Sequence, residues 1–246
     1  MAGKLIVFEG GEGSGKTTQI QKLRDWLLAQ DVFDTLQKQG KVSGLQLTRE
    51  PGGTALGKDI RQLLLTPRNR EQDSQICNNT ELLLYAADRA QHVEETIVPW
   101  LEAGYWVLCD RFTDSTVAYQ GYGRQLDLGL IHQLNQIATG GLKSDLTLWL
   151  NVSPDVGLDR MQQRGEADRM EQAGKAFHTR VCGGFEALAT PLSKTGDETS
   201  EDDINPYSSG PMVEIDGNQP LEAVSVQIQD VIKQRVKQWY PHLSLN

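Results

Sequence analysis

A glycine-rich segment near the start of the chain has the residue types of a phosphate-binding loop. It fits G-x-x-x-x-G-K-[ST] over residues 10–17 and lies between the apolar residues 5–8 and an amphipathic stretch. Glycines let backbone N–H groups turn toward phosphates, and the N-terminus of the next helix adds partial positive charge. Lys16 would reach the β- and γ-phosphate oxygens of a nucleotide, and the Thr17 hydroxyl would ligate Mg²⁺. We expect phosphate contacts from Gly10, Gly11, Glu12, Gly13, Ser14, Gly15, Lys16, Thr17 and Thr18.

This loop predicts nucleotide binding but leaves the class of protein open. The sequence contains no Asn-Lys-x-Asp and no Asp-x-x-Gly, which GTPase switches use to read guanine and the γ-phosphate. Motor and transporter ATPases would hold Mg²⁺ with an acidic residue such as Asp110, which ends the apolar run 105–109. Here Arg111 follows that residue immediately, which indicates another use. Asp110 is therefore kept as a second candidate for the metal beside Thr17.

Further motifs accompany the loop in a fixed order, and together they resemble the thymidylate kinase family. The resemblance runs from Phe8 to about Glu171, which is most of the chain. The motifs are FEG at 8–10, REPGGT at 49–54, LYAADR at 84–89, DRF at 110–112, YQG at 119–121 and RGEADRME at 164–171.

The resemblance implies transfer of the γ-phosphoryl group of ATP to dTMP, giving dTDP and ADP, with Mg²⁺ as cofactor. No general base is needed because the attacking phosphate oxygen is already anionic, so the protein positions the groups and stabilises charge. Two alternatives stay open: another nucleoside monophosphate kinase, and a P-loop ATPase that acts as a regulatory switch.

The acceptor side of the site is also implied by the resemblance. Tyr85 and Arg89 are four residues apart on a predicted helix and share a face; their counterparts stack on thymine and contact the base. Arg49 and Arg111 correspond to arginines that hold the acceptor phosphate, and Tyr119 to a residue that selects deoxyribose. The implied dTMP-binding residues are Glu12, Arg49, Pro51, Tyr85, Arg89, Arg111, Thr116, Tyr119 and Gln120.

The predicted lid covers about residues 160–172 and resembles the bacterial arrangement. Gly13 follows Glu12, so the loop arginine of other family members is missing here. The lid instead carries Arg160, Arg164 and Arg169. The implied catalytic set is Lys16, Arg164, Arg111 and Glu12.

Alternating strand and helix patterns predict an α/β protein with the P-loop NTPase fold: a mainly parallel five-stranded sheet flanked by helices, with a mobile lid. We expect one domain over 1–246 and one long helix over 79–103. The connection at 31–44 is longer than the family leads us to expect. The polar, acidic run at 190–211 predicts a flexible, solvated insertion. Residues 216–220 are a candidate for adenine contacts.

Composition narrows the choice of partners and compartment. The 246 residues carry a net charge of −9, which opposes binding to nucleic acid. No apolar run is long enough for a membrane span, and no signal peptide is visible at the start. Three cysteines without a Cys-x-x-Cys pair favour a reducing compartment, the cytoplasm. The resemblance implies a homodimer, with small-molecule nucleotides as the other partners.

Overall fold

The computed structural model describes residues 3–67, 75–165, 168–190 and 205–241, except for the Arg164 side chain. Within them, five strands form one sheet in the spatial order β2-β3-β1-β4-β5. Every neighbouring pair is parallel. The strands are β1 (Lys4–Glu9), β2 (Gly44–Arg49), β3 (Tyr105–Asp110), β4 (Leu146–Asn151) and β5 (Met212–Asp216). The predicted α/β fold with a five-stranded sheet is confirmed, and the sheet is wholly parallel.

Helices connect the strands, as parallel pairing requires. They are α1 (Lys16–Leu28), α2 (Asp31–Lys38), α3 (Ala55–Leu65), α4 (Asn78–His92), α5 (Val98–Glu102), α6 (Thr113–Thr116), α7 (Leu128–Thr139), α8 (Pro154–Arg164), α9 (Lys175–Ala189) and α10 (Leu221–Trp239), with π-helical turns at Val93–Ile97 and Val117–Gly123. In the described part of the chain, none of these helices combines the length and apolar character that a membrane crossing needs.

The sheet is buried on both faces, which explains the nearly continuous apolar strands seen in the sequence. On one face Ile6 and Phe8 pack in a core that α1 and α10 cover. On the other face Leu5 and Val7 pack against the π-helical turn 93–97. Alternate side chains of one strand therefore serve two cores.

The long helix predicted over 79–103 is helical from Asn78 to Glu102, but it is not one regular α-helix. The α-helix ends at His92, a π-helical turn covers Val93–Ile97, and α5 ends at Glu102. Pro99 explains the interruption because it has no N–H to donate to residue 95 and its ring would clash in a regular α-helix. The wider π-helical turn lets the chain continue in the same direction.

The long connection at 31–44 contains a helix of its own, α2. Its apolar side chains Phe33 and Leu36 are buried in the core on the α1 face of the sheet. The Phe33 ring packs edge-on against Trp106 of β3 at 5.6 Å between centroids. This extension is therefore part of the core.

The expectation of a solvated insertion over 190–211 was wrong for its last part. Residues 191–204 lie outside the described structure, whereas 205–210 pack onto the domain. Ser209 donates its backbone N–H to Asp114 Oδ1 at 2.9 Å, and its hydroxyl donates to the other carboxylate oxygen. A carboxylate buried in the fold must accept hydrogen bonds, and Ser209 supplies them.

Candidate active site

The glycine-rich turn between β1 and α1 lies at the carboxyl edge of the sheet. Gly13 and Gly15 have φ angles of +69° and +88°, a region that favours glycine. A Cβ atom on Gly13 would lie 2.3 Å from the Gly157 carbonyl oxygen, so a larger residue does not fit there. The turn presents the N-terminus of α1 where open α/β sheets bind their ligands.

Lys16 is buried and folded back onto this turn. Its ammonium donates to the carbonyl oxygens of Gly10 at 3.0 Å and Gly11 at 2.9 Å, and to Ser14 Oγ at 3.1 Å. Burial, and then the positive charge of Arg111, lowers the pKa of Lys16 to about 8. Ionised phosphate oxygens are stronger acceptors for an ammonium than these neutral groups. The side chain is thus positioned to exchange them for a phosphate.

The candidate metal ligands lie together at the start of α1. The hydroxyl of Thr17 donates to Asp110 Oδ2 at 3.0 Å. Hydroxyl and carboxylate oxygens suit Mg²⁺, which kinase sites hold through one or two protein oxygens, phosphates and water. In the described ranges no group of three or more His, Cys, Asp or Glu side chains could hold a metal. The residues present fit an ion that is shared with a nucleotide.

Arg111 follows β3 in a backbone conformation that is uncommon for a residue with a side chain, with φ +74°. Its backbone N–H donates to the Phe8 carbonyl oxygen at 3.0 Å. Its Nη2 group donates to Glu12 Oε1 at 2.7 Å and to the Tyr119 hydroxyl at 3.1 Å. The Tyr119 hydroxyl donates in turn to the same Glu12 oxygen at 2.9 Å. Strained residues that their surroundings hold in place are concentrated at functional sites.

Glu12 stays ionised in this arrangement. Burial acts to raise its pKa, but the charges of Arg111 and Lys16 outweigh burial and lower the pKa to about 2. The loop therefore carries a fixed negative group beside two cations.

These groups open into one cleft of about 220 Å³. Loop residues 12–18 form part of its lining. Gly10 and Gly11 are absent from this lining, and their carbonyl oxygens hold Lys16 instead. The implied acceptor residues in the lining are Glu12, Arg49, Pro51, Tyr85, Arg89, Arg111, Thr116, Tyr119 and Gln120. The fold thus brings the whole predicted acceptor set to one space next to the phosphate-binding loop.

Arg89 lies on the floor of the cleft with 2% of its side chain exposed. It donates to Glu50 Oε2, Thr116 Oγ1, Asn135 Oδ1 and the Phe112 carbonyl oxygen, each at 2.8 Å. The protein therefore fixes this guanidinium before any base arrives. Its contact with the base stays a prediction.

Arg49 and Tyr85 have different surroundings in the same cleft. Arg49 ends β2 and is exposed, and its backbone is in register with Asp110 of β3. Tyr85 is half-buried on α4, one turn before Arg89. An exposed cation at the rim and an aromatic ring deeper in the cleft suit the phosphate and the base of one nucleotide.

Arg160, the first lid arginine, contacts both the phosphate-binding loop and the segment after β5. Arg160 Nη1 donates to the Gly217 carbonyl oxygen at 3.2 Å and approaches that of Gly13 at 3.5 Å. Gly217 lies in the segment 216–220, the candidate for adenine contacts. The side chain of Arg164 lies outside the described residues.

Arg169, the third lid arginine, is bound to the acceptor side. It forms an ion pair with the buried Glu81 of α4 at 2.6 Å, and its Nε donates to the Leu64 carbonyl oxygen of α3 at 2.5 Å. Its backbone N–H donates to the Leu65 carbonyl oxygen at 3.0 Å. This geometry indicates an anchor for residues 168–171 beside the acceptor end of the cleft.

Sequence reasoning assigned no role to several residues of the lining. Arg61 of α3 donates to the Pro51 carbonyl oxygen at 3.0 Å, and no spacing signal singled it out. Burial and then the charge of Arg49 lower the pKa of Arg61. Glu81 lies outside this lining but pairs with Arg169, and it had a usable signal because it precedes Tyr85 by four residues on the same helix. The unassigned lining residues are Glu50, Arg61, Leu65, Ser115, Asp168, Met170 and Glu171.

Comparison with known proteins decides the family. The thymidylate kinase family matches residues 8–195. The chain belongs to this family. A thymidylate kinase of Cyanothece sp. is 52% identical over 100% of both chains. One of Trichodesmium erythraeum is also 52% identical, covering 97% of this chain and 99% of the other.

A solved structure agrees with this assignment. The crystal structure of thymidylate kinase from Ehrlichia chaffeensis has a TM-score of 0.63 and 30% sequence identity to this chain, covering 94% of this chain and 99% of the other. The resemblance read from the motifs is therefore confirmed, and with it the enzyme class, a nucleoside monophosphate kinase.

Proposed function

We propose that this thymidylate kinase transfers the γ-phosphoryl group of ATP to dTMP and releases dTDP and ADP. The observation that carries the proposal is the continuous cleft in which loop residues 12–18 meet the acceptor residues. Two nucleotides bound at its two ends would bring their phosphates together. In-line transfer requires this arrangement.

The reaction needs positioning and charge stabilisation more than proton transfer. An oxygen of the dTMP phosphate attacks the γ-phosphorus of ATP, and the bond from that phosphorus to the β,γ-bridging oxygen breaks, with the electron pair leaving on ADP. Arg49 and Arg111 hold the acceptor phosphate as planar donors that stay charged. Lys16 leaves the loop carbonyls and binds the β- and γ-phosphates of the donor.

Glu12 fixes the direction of Arg111 through their 2.7 Å ion pair. Bound Mg²⁺ would supply charge neutralisation at the donor phosphates. Thr17 and Asp110 are the residues that would hold it, directly or through water. The lid arginine Arg164 completes the catalytic set and would neutralise charge on the transferring group.

Different acceptor residues contact different parts of dTMP. Tyr85 stacks on thymine, a contact worth about 1–3 kcal/mol, and Arg89 lies at the base edge. Thr116 and Gln120 line the same part of the cleft. Tyr119 closes the side of the sugar where a ribose would carry its 2′-hydroxyl.

The test is a panel of acceptors with ATP and Mg²⁺. We expect the highest kcat/KM with dTMP and some activity with dUMP, because one methyl group is worth only about 1–3 kcal/mol. A higher kcat/KM with another nucleoside monophosphate would replace dTMP as acceptor. ATP turnover that is the same with and without any acceptor would support the regulatory ATPase instead.

We also propose that the protein is a cytoplasmic homodimer. Three neighbouring helices of the described structure each expose a large apolar side chain, for example Leu63 on α3, Leu83 on α4 and Ile137 on α7. The first two helices pack together, and α7 packs on α4. Light scattering should give twice the chain mass, and Leu83→Glu with Ile137→Glu should give a folded monomer. A monomeric wild type would exclude the dimer.

A further inference from the structure

Among the described residues, Glu81 is a buried carboxylate near the cleft that binds several side chains and has no assigned role. It lies in the first turn of α4 with 1% of its side chain exposed. It accepts from Gln120 Nε2 at 2.9 Å and from two nitrogens of Arg124, each at 3.1 Å. The lid residue Arg169 lies 2.6 Å from it. One carboxylate thus connects the π-helical turn at 117–123 with the lid.

The charge of Glu81 determines which way the Gln120 amide points. Burial acts to raise the pKa of Glu81, but the hydrogen bonds and charge of Arg124 outweigh burial and lower it. An ionised carboxylate can only accept hydrogen bonds, so the NH₂ end of the amide must face it. The opposite orientation would place two oxygens against each other.

The carbonyl end of the same amide is then left for a ligand. Gln120 is 2% exposed and lines the cleft together with Tyr85 and Thr116. In the described part of the chain, Glu81 is the hydrogen-bond partner of the Gln120 side chain, through Nε2, and Oε1 accepts from no protein donor. Oε1 is not one of the fully buried side-chain atoms that lack a partner, so a ligand in the cleft can reach it. An N–H group on the base would supply the missing donor.

We propose that Glu81 is a positioning residue for base selection: it holds the Gln120 amide with its carbonyl oxygen toward the base. Thymine and uracil carry a hydrogen on N3 and can donate to that oxygen. Cytosine has a bare, accepting N3 and would place two acceptors against each other. The inference rests on the proposed function, with a pyrimidine nucleotide as acceptor, and adds to it the reason why dCMP is rejected.

The decisive variant is Glu81→Gln. A neutral amide can either accept from or donate to Gln120, so the direction of the Gln120 amide is no longer fixed. We expect kcat/KM for dTMP to fall about 10-fold or more through KM, with the KM of ATP unchanged. The preference for dTMP over dCMP should fall by about the same factor. A preference within twofold of the wild type would overturn the proposal.

Arg124→Lys is the matched control. It removes the two-nitrogen contact with Glu81 but keeps a cation near the carboxylate and leaves the Gln120 bond in place. We expect a lower Tm with the dTMP preference unchanged. If this variant loses as much preference as Glu81→Gln, Glu81 acts by general stabilisation and the proposal is wrong.

Gln120→Leu keeps the inference testable if Glu81→Gln does not fold. It removes the amide and leaves Glu81 paired with its two arginines. We expect the same loss of preference, and wild-type preference in this variant would exclude the inference. The proposed function has its own criterion: it fails if the wild-type enzyme does not phosphorylate dTMP, whatever the variants do.

Discussion

Glu12 and Arg111 form a 2.7 Å ion pair between the donor and acceptor halves of the cleft. Glu12 belongs to the loop proposed to bind the donor phosphates, and Arg111 is proposed to hold the acceptor phosphate. A phosphate that reaches Arg111 therefore approaches a guanidinium whose direction the loop has already fixed. This ion pair therefore couples the position of the loop to the position of the Arg111 side chain in the acceptor site.

Tyr119 adds a hydroxyl to the pair and a ring to the cleft, and two variants separate these contributions. Tyr119→Phe removes the bonds to Glu12 and Arg111 at 2.9 and 3.1 Å. We expect kcat/KM for dTMP to fall about 10-fold, because the lost hydrogen bonds are worth about 1–1.5 kcal/mol. Ribonucleotides should still be rejected, since the ring remains. Tyr119→Ala should also admit the ribonucleotide. Steady-state kinetics on dUMP and UMP measure both effects, and equal rejection of UMP by the two variants would argue against the ring as the selector.

Thr17 provides a test of the metal site. Thr17→Val removes the hydroxyl that lies 3.0 Å from Asp110 while keeping the shape of the side chain. We expect a Mg²⁺ requirement at least 10-fold higher and a lower kcat, because Mg²⁺ prefers oxygen ligands. Thr17→Ser keeps the hydroxyl and should behave like the wild type. Titration of activity with Mg²⁺ decides, and an unchanged Mg²⁺ requirement in Thr17→Val would remove Thr17 from the metal site.

The lid arginines should differ sharply in their effect on turnover. Arg164→Ala should lower kcat by about 10³-fold or more, as loss of an arginine does in analogous phosphoryl transfers, with little change in ATP affinity. Arg160→Ala loses the contacts with Gly13 and Gly217 and should mainly weaken ATP binding. Single-turnover rates and equilibrium ATP binding separate the two effects. Near-normal turnover in Arg164→Ala would transfer the catalytic role to another lid arginine.

Sequence patterns predicted those parts of the molecule that local rules determine. Strands buried on both faces and the strand-turn-helix at the loop follow from apolar runs and from glycine spacing, so β1 and α1 could be placed closely. The π-helical turn within the predicted helix 79–103 depends on how the chain accommodates Pro99, which periodicity does not show. The packing of Ser209 on Asp114 joins residues 95 positions apart, and no local pattern contains that information.

In the candidate site, too, some features follow from local sequence and others depend on long-range packing. Tyr85 and Arg89 could be paired because helical spacing brings them to one face. The bonds from Arg89 to Thr116 and Asn135 depend on how three separate helical elements pack, so its fixed position was not predictable. Arg61 reaches the cleft only because α3 packs on α4. Composition and spacing thus indicate which residues take part, and packing decides which of them are rigid.

Glu9 should make stability depend on pH. Burial, then the negative charge of Asp114, raises its pKa from 4.5 to about 7. Between these values the folded state binds more protons than the unfolded state, so this contribution is complete below pH 4.5 and is lost as the pH rises through 7. Glu9→Gln should remove the slope, which corresponds to at most about 3 kcal/mol. The measurement is urea unfolding at pH 5 and pH 7.5.

An exposed glutamate provides the control for the Glu9→Gln measurement. Glu94 is exposed in the π-helical turn at 93–97, and Glu94→Gln makes the same change of side chain away from the buried site. The Glu9→Gln variant should gain stability relative to the wild type at pH 7.5 and gain little at pH 5. An equal difference at both pH values would show that Glu9 is ionised throughout and that the raised pKa is wrong.

The hydrogen bonds that immobilise Arg89 have a consequence for inhibitor design. A guanidinium that donates to four acceptors cannot move to fit a base of a different shape. The cleft near Arg89 is therefore expected to be rigid and to exclude bases that do not fit. Arg49, by contrast, is exposed at the end of β2 and can follow its ligand. Compounds that alter the phosphate should therefore be tolerated far better than compounds that alter the edge of the base.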